Sequence, residues 1–308
     1  MRLKEAAVVV NPASGGGLGA KRWPKIAAAL KEEGFTFKYS FTEKAGDATE
    51  ITRRYLQEGC ELVVSVGGDG TNNEVVNGFF HENRAIRESV AIGFISTGTG
   101  SDLSRTLGIP KDLNGAARHL MISPVRPVDV GRVSYVNYRG IKESRYFINI
   151  AGLGLDGDIV GRVNRTSKAL GGFISFLWGT VISLLMYRNK EMAVTLDGDL
   201  VCEGDITTVV IGNGAYFGGG MKIAPESRMD DGLFDIIILK GLNKKDLLIN
   251  LPGVYKGKHM SNPKIIFMRG KNIAVTSPEK ALLNLDGEQP GRAPVEIELL
   301  HRAIKIKS

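Results

Sequence analysis

Gly67-Gly68-Asp69-Gly70-Thr71-Asn72-Asn73-Glu74 follows without a break on the apolar run Leu62 to Val66. A β-type run that ends in a Gly-rich turn and opens into helix-compatible sequence is the grammar of an α/β sheet. The pattern occurs twice more. Ala6 to Val10 leads into Asn11-Pro12-Ala13-Ser14-Gly15-Gly16-Gly17, and Ala91 to Ile95 leads into Ser96-Thr97-Gly98-Thr99-Gly100-Ser101-Asp102. Each run is apolar on both faces, as parallel strands covered on both sides are. Helices are expected at Trp23 to Glu33, Ala48 to Gln57 and Asp102 to Leu107, the last stopped by Gly108 with Pro110 beyond. Thr71 and Glu74 have capping-box spacing, which predicts a helix from about Asn72 whose N–H groups face the preceding loop.

From about Pro127 the grammar changes. Arg145 to Ile150, Met192 to Leu196, Thr207 to Ile211, Phe234 to Leu239 and Ile273 to Thr276 follow one another with few helices between them. This reads as antiparallel β, and Asp197-Gly198 is a two-residue hairpin signal. The fold expected is therefore an N-terminal α/β domain with a parallel, Rossmann-like sheet over residues 1–128, then a mainly antiparallel β-sandwich domain over 129–297. A last strand at about 298–308 is expected to return to the first domain. No internal repeat or low-complexity tract is present.

The chain of 308 residues is 43% hydrophobic and 24% charged, which suits folded domains throughout. Its net charge of +7 permits attraction to ATP, nucleic acid or an anionic membrane without choosing among them. Cys60 and Cys202 sit in apolar, strand-like contexts, so neither a disulfide framework nor a zinc site is expected, and a reduced cytoplasmic protein fits best. Met1-Arg2-Leu3-Lys4-Glu5 leads into a short strand-like run and not a signal peptide. Ala169 to Tyr187 carries no charge and could be taken for a membrane span. Its glycines, serines and threonine dilute it, so it reads as a buried or groove-lining helix ahead of an interfacial one or a span.

Three Gly-rich turns at the carboxyl ends of parallel strands lie on one sheet edge, where open α/β sheets bind ligands. Consecutive glycines let backbone N–H groups converge on phosphate oxygens, and the Ser and Thr hydroxyls add donors. Asp69 inside such a loop would repel phosphate unless a cation intervened, which assigns it to organising Mg²⁺; the alternative is an Asx turn. None of the turns ends in Gly-Lys-Ser or Gly-Lys-Thr, and no spaced Gly-x-Gly-x-x-Gly follows the first strand, so ordinary P-loop and dehydrogenase readings lose ground.

Gly67 to Gly78 closely resembles the signature of the diacylglycerol kinase catalytic domain, in a superfamily shared with sphingosine and ceramide kinases and, more distantly, NAD kinases and phosphofructokinases. Asn11-Pro12-x-Ser14-Gly15 resembles that family's first nucleotide loop and Thr97 to Arg105 its third. The resemblance implies a nucleotide set of Asn11, Pro12, Ser14, Gly15, Thr42, Gly67, Gly68, Asp69, Gly70, Thr71, Asn73, Glu74, Thr97, Gly98 and Thr99. Asn284-Leu285-Asp286-Gly287-Glu288 resembles the family's Asp-Gly-Glu motif. By that likeness Asp286 is the base that deprotonates the acceptor, while Glu288, pointing to the same side of a strand, reaches the catalytic Mg²⁺ with Asp69. From its own residues Asp286-Gly287 reads as an ordinary hairpin turn. Arg228 to Asp235 is similar to a structural Mg²⁺ motif of the soluble bacterial enzymes, which implies Asp231 as carboxylate ligand and Arg228 and Leu233 as carbonyl ligands. Two positions depart from the family: Asn72 stands where Leu is common and Ser101 where Asn is.

The function expected is transfer of the γ-phosphate of ATP, with Mg²⁺, to a lipid hydroxyl such as that of diacylglycerol. The alternatives are an NAD kinase, which shares the Gly-Gly-Asp-Gly-Thr loop, and a non-catalytic nucleotide-binding regulator. ATP and a lipid are the expected partners and nucleic acid is not. Peripheral contact with an anionic inner membrane face, through residues such as Lys21, Arg22, Arg162 and Arg165, and a homodimer are compatible with the sequence. His81, His119, His259 and His301 are scattered without metal spacing.

Overall fold

The computed structural model describes residues 5–82, 84–165, 179, 180, 182–184 and 186–308. The chain divides into two units, Met1–Asp129 with Arg302–Ser308, and Val130–His301.

The first unit contains β1 (Glu5–Val10), α1 (Ser14–Glu32), β2 (Thr36–Phe41), α2 (Asp47–Gln57), β3 (Leu62–Gly67), α3 (Asp69–Gly78), a short hairpin of β4 (Phe80–His81) and β5 (Arg84–Ala85), β6 (Ala91–Ser96), α4 (Asp102–Thr106) and α5 (Leu113–Ile122). The central strands run β6-β3-β1-β2, each pair parallel, and near the chain's end Lys305 and Ile306 pair in parallel with Ala91 and Ile92. Val8, Val9, Val64 and Ile92 are fully buried, which is why these runs carry no polar alternation. β2 has no such signature. It lies at the end of this order with Tyr39 and Phe41 exposed, and Trp23 of α1 packs on Tyr39 with ring centroids 4.8 Å apart.

α3 starts at Asp69 with Gly68 as its N-cap and no side-chain cap, so the expected Thr71–Glu74 capping box does not form. Thr71 Oγ1 instead accepts from Asn11 Nδ2 at 2.9 Å, and the Glu74 carboxylate accepts from the backbone N–H groups of Gly46 and Ala48 at the start of α2. A carboxylate on free N–H groups at a helix start is favoured by the same dipole that the capping-box argument invoked, applied to a different helix.

The second unit is β-rich. β7 (Val125–Asn137) leads into it, followed by β8 (Lys142–Phe147), β9 (Ile150–Gly154), α6 (Leu155–Arg165), β10 (Lys190–Leu196), β11 (Asp199–Gly212), β12 (Phe234–Lys240), α7 (Lys244–Tyr255), a 3₁₀ turn (Lys258–Ser261), β13 (Ile265–Gly270), β14 (Asn272–Thr276), β15 (Leu282–Leu285) and β16 (Glu288–Lys307). Within it, β13-β12-β11-β10-β14-β16 pair antiparallel in that order, and β9 pairs with both β11 and β15. Leu196 pairs with Asp199 across Asp197 and Gly198, whose φ angles are +50° and +99°, the two left-handed positions of a primed hairpin turn. Phe147 stacks on Phe234 at 5.5 Å in a core shared with Val209, Ile211, Leu283 and Leu285.

The run expected as one strand from Arg145 to Ile150 is split between β8 and β9. Its last three N–H groups, those of Ile148, Asn149 and Ile150, turn to the carboxylate of Asp286. Among the described residues no helix is long and apolar enough to cross a membrane. Most of Ala169 to Tyr187 lies outside the described residues.

Candidate active site

Parallel strands in register end on one edge, and the three loops after β1, β3 and β6 knit together there. The ladder runs on into them: Asn11 N–H donates to Val66 O, Thr97 N–H to Gly67 O, and Thr42 N–H, just past β2, to Val10 O. Ser14 Oγ and Thr97 Oγ1 share a 2.6 Å hydrogen bond, and Asn11 Nδ2 reaches Thr71. Gly98 lies so close to the middle loop that a Cβ on it would stand 2.7 Å from Gly68 Cα, and a Cβ on Gly15 would stand 2.4 Å from Thr97 O. Only glycine fits where backbones approach like this.

Gly15, Gly16 and Gly17 have φ of +60°, +72° and +92°, so regular helix begins only after them. A Cβ on Gly16 or Gly17 would meet nothing within 4 Å. Gly17 N–H donates to Ala13 O at 3.1 Å, and the amides of Gly15 and Gly16 at this loop-to-helix junction form an anion cradle. Asp69 opens α3 and faces the third loop. Its carboxylate faces the N–H groups of Asp102 (3.4 Å) and Leu103 (3.3 Å) at the start of α4. Arg105, which the sequence reading did not single out, ties this loop down by donating to Asp102 Oδ1 at 2.7 Å and to Gly100 O. The two departures from the family have local partners. Asn72 accepts from Ser65 Oγ at 2.7 Å, and Ser101, at φ +55°, bonds Ser96 Oγ at 2.6 Å.

The expected nucleotide residues do not all meet. Thr99 is exposed, Asn73 is fully buried inside α3, and Glu74 is directed to α2.

In the second unit Asp286 and Gly287 form the turn between β15 and β16, with φ of +48° and +90° and Leu285 paired to Glu288. The turn geometry that the bare sequence suggests is therefore real. Asp286 is nonetheless no ordinary turn residue. It is 7% exposed and accepts three backbone N–H bonds of 2.9 to 3.0 Å, two at Oδ1 and one at Oδ2, which fix the orientation of its carboxylate. The same-side-of-a-strand argument for Asp286 and Glu288 does not apply, because Asp286 is in the turn and Glu288 opens the next strand. Glu288 pairs with Arg145 at 3.0 Å.

Behind this turn, Asn284 accepts from Gly287 N–H and donates to Asp156 Oδ2 at 2.8 Å. Asp156, on the first turn of α6, lines a pocket, open in part to solvent, whose walls are otherwise mainly aliphatic, with Leu155, Ile159, Leu184, Val210, Leu247 and Leu251 among them. Burial pushes the Asp156 carboxyl up to about 6, against the opposing hydrogen bond from Asn284. Between about pH 4 and 6 the folded chain thus holds a proton that the unfolded chain has released. The group's contribution to stability falls as pH rises through that window and is level above it. Asp156→Asn keeps an acceptor for Asn284 and removes the buried charge. Its melting temperature is expected to exceed the wild type's above pH 7 by the equivalent of about 2 kcal/mol, the two curves converging near pH 4. Parallel melting curves across that range would sink this account of Asp156.

At the expected structural metal site the acidic side chains meet a cation of the chain itself. Arg269 pairs with Asp231 Oδ2 and, at 2.8 Å, with Asp235 Oδ1, while Asp231 Oδ1 accepts from Leu233 N–H at 3.2 Å. Burial raises the Asp235 carboxyl and Arg269 opposes the shift. A guanidinium thus pairs with the one carboxylate of the expected metal set. Arg269→Met strands two neighbouring carboxylates, one of them buried, and is expected to cost about 2 kcal/mol of stability. Millimolar Mg²⁺ should restore part of that loss, whereas chelation leaves the wild type's melting temperature unchanged; a wild type destabilised by chelation would show that the metal displaces Arg269.

Residues 5–133 match the diacylglycerol kinase catalytic domain, and residues 149–308 match the YegS C-terminal NAD kinase beta sandwich-like domain. The chain is 32% identical to a diacylglycerol kinase of Bacillus subtilis over 306 residues, 99% of this chain and 96% of that protein. It is 31% identical to one of Staphylococcus carnosus, covering 98% and 94%. A crystal structure of a diacylglycerol kinase from Bacillus anthracis superposes with a TM-score of 0.72 at 25% identity, covering 100% of this chain and 97% of that one. An NAD kinase from Archaeoglobus fulgidus in complex with ATP reaches a TM-score of 0.51 at 15% identity, covering 99% and 93%, a likeness of fold alone. The end-to-end likeness to the first of these covers both units, the α/β unit with its open glycine cradle and the sandwich-like unit with its held aspartate, and the chain belongs to the diacylglycerol kinase family, as a lipid kinase.

Proposed function

We propose that this kinase transfers the γ-phosphate of ATP to the hydroxyl of diacylglycerol or a closely similar lipid, in the cytoplasm at the inner membrane face. The observation that carries the reading is the aliphatic cavity of the second unit, joined through Asn284 to the turn that holds Asp286. Acyl chains leave water for such walls at roughly 0.8 kcal/mol per methylene, a gain that a polar acceptor such as NAD does not have.

The backbone amides of Gly15 and Gly16 and the hydroxyls of Ser14, Thr71 and Thr97 are suited to binding the phosphates of ATP. Asp69 is suited to a magnesium ion, which neutralises phosphate charge when bound. Asp286 orients the acceptor hydroxyl and takes its proton as the oxygen attacks the γ-phosphorus and ADP leaves. Held by three amides, the carboxylate needs no reorganisation at that moment.

Phosphate transfer from labelled MgATP to diacylglycerol, a sphingoid base and NAD, offered separately under one condition, tests the proposal. Diacylglycerol should be the preferred acceptor. Turnover of NAD alone would replace this reading with that of a nucleotide kinase.

A further inference from the structure

Residues 240–271 carry eight lysines and arginines against one acidic residue, a net charge of +7. That equals the charge of the whole chain, so the remaining 276 residues sum to zero. The stretch runs from the end of β12 through α7 and the 3₁₀ turn to just past β13. Its one acidic residue, Asp246, forms the N-terminal capping box of α7 with Asn243 and pairs with Lys264, outside α7, at 2.6 Å.

α7 is apolar on two faces. Leu247, Leu251 and Val254 recur at helical spacing and line the cavity. The opposite face repeats the same spacing with Lys245, Leu248, Ile249, Pro252 and Lys256. Ile249 is 76% exposed and Leu248 37%. Two aliphatic side chains in water, bracketed by exposed lysines, on the back of a helix whose front forms a cavity wall, match an interfacial membrane helix.

We propose that the outer face of α7 docks on an anionic bilayer. Leu248 and Ile249 enter the boundary between headgroups and acyl chains, and Lys244, Lys245, Lys256 and Lys258 meet the lipid phosphates. The acceptor then passes from the bilayer around α7 into the cavity behind it, a step that rests on the lipid-acceptor reading, whereas docking itself does not. Nucleic acid would satisfy the lysines but leave the aliphatic pair in water. A second copy would set Lys244, Lys245, Lys256 and Lys258 against the same lysines across this face.

Purified full-length protein is sedimented with vesicles of phosphatidylcholine alone or mixed with phosphatidylglycerol, without ATP or acceptor. Binding should require phosphatidylglycerol and weaken with salt. At about fivefold per lysine, Lys244→Gln, Lys245→Gln and Lys256→Gln together should lower partitioning by about 100-fold. Ile249→Asp alone should lower it by about tenfold. Both variants should keep the wild type's melting temperature and its turnover of a soluble short-chain acceptor. Wild-type partitioning of the triple variant overturns the proposal, as does a wild type that ignores phosphatidylglycerol and uses these residues to bind RNA or its own copy. Because the vesicles hold no acceptor, this result stands whether or not diacylglycerol is the substrate.

Discussion

Asp286→Asn is expected to lower kcat by about 10³-fold, the usual worth of a positioned general base, with the KM for ATP unchanged. Asparagine is the informative substitution because position 286 sits at φ +48°, where Asn is as much at home as Asp and Ala is not. It also keeps one acceptor for the amides of residues 148–150. The other oxygen becomes an NH₂ group facing an N–H, so some stability is lost, about 1 to 3 kcal/mol or roughly 5 °C. That structural cost is small and measurable apart from turnover. A variant that keeps full activity would remove Asp286 from the chemistry and leave it as the clasp between the β15–β16 turn and the start of β9. A variant that loses nucleotide affinity as well would point to misfolding in place of a missing base.

Much of the nucleotide edge is legible in the sequence because its signals are local. Val8, Val64 and Ile92 stand in runs apolar on both faces, each run ends in glycines, and the pattern can be read within a dozen residues. Asp197-Gly198 is legible for the same reason, as the dipeptide alone demands two left-handed positions. What the sequence hides depends on residues far apart in the chain. Glu74 has capping-box spacing from Thr71, yet its carboxylate serves Gly46 and Ala48, on a helix that only the sheet brings near. Asp231 reads as a cation ligand, and only the pairing of β12 with β13 reveals that Arg269 is delivered beside it. Asp156 is one acidic residue of a Leu-Asp-Gly-Asp stretch, and nothing local distinguishes it from Asp158; burial against the cavity and Asn284 does. α7 escapes the periodicity argument because it is apolar front and back, so no stripe emerges. Those two faces are also what make it a candidate docking element.

Gly98→Ala should weaken ATP binding by about 100-fold, measured by calorimetry, because the methyl group would stand 2.7 Å from Gly68 Cα and neither backbone can yield without moving its loop. The same overpacking should cost about 1 to 3 kcal/mol of stability. On its own this result would not separate a damaged fold from a damaged site, and two further glycines make the separation. Gly16 and Gly34 share the left-handed conformation, at φ +72° and +88°, and an added Cβ on either meets no protein atom within 4 Å. Alanine at each should therefore cost the same backbone strain, about 1 to 2 kcal/mol. Gly16 lies in the proposed phosphate cradle, while Gly34 follows the C-terminal end of α1. If phosphate rests on the amides of Gly15 and Gly16, Gly16→Ala loses ATP affinity about as severely as Gly98→Ala, and Gly34→Ala keeps it. Equal ATP binding by the Gly16 and Gly34 variants would mean that the nucleotide does not use the first loop, whatever the family's pattern implies.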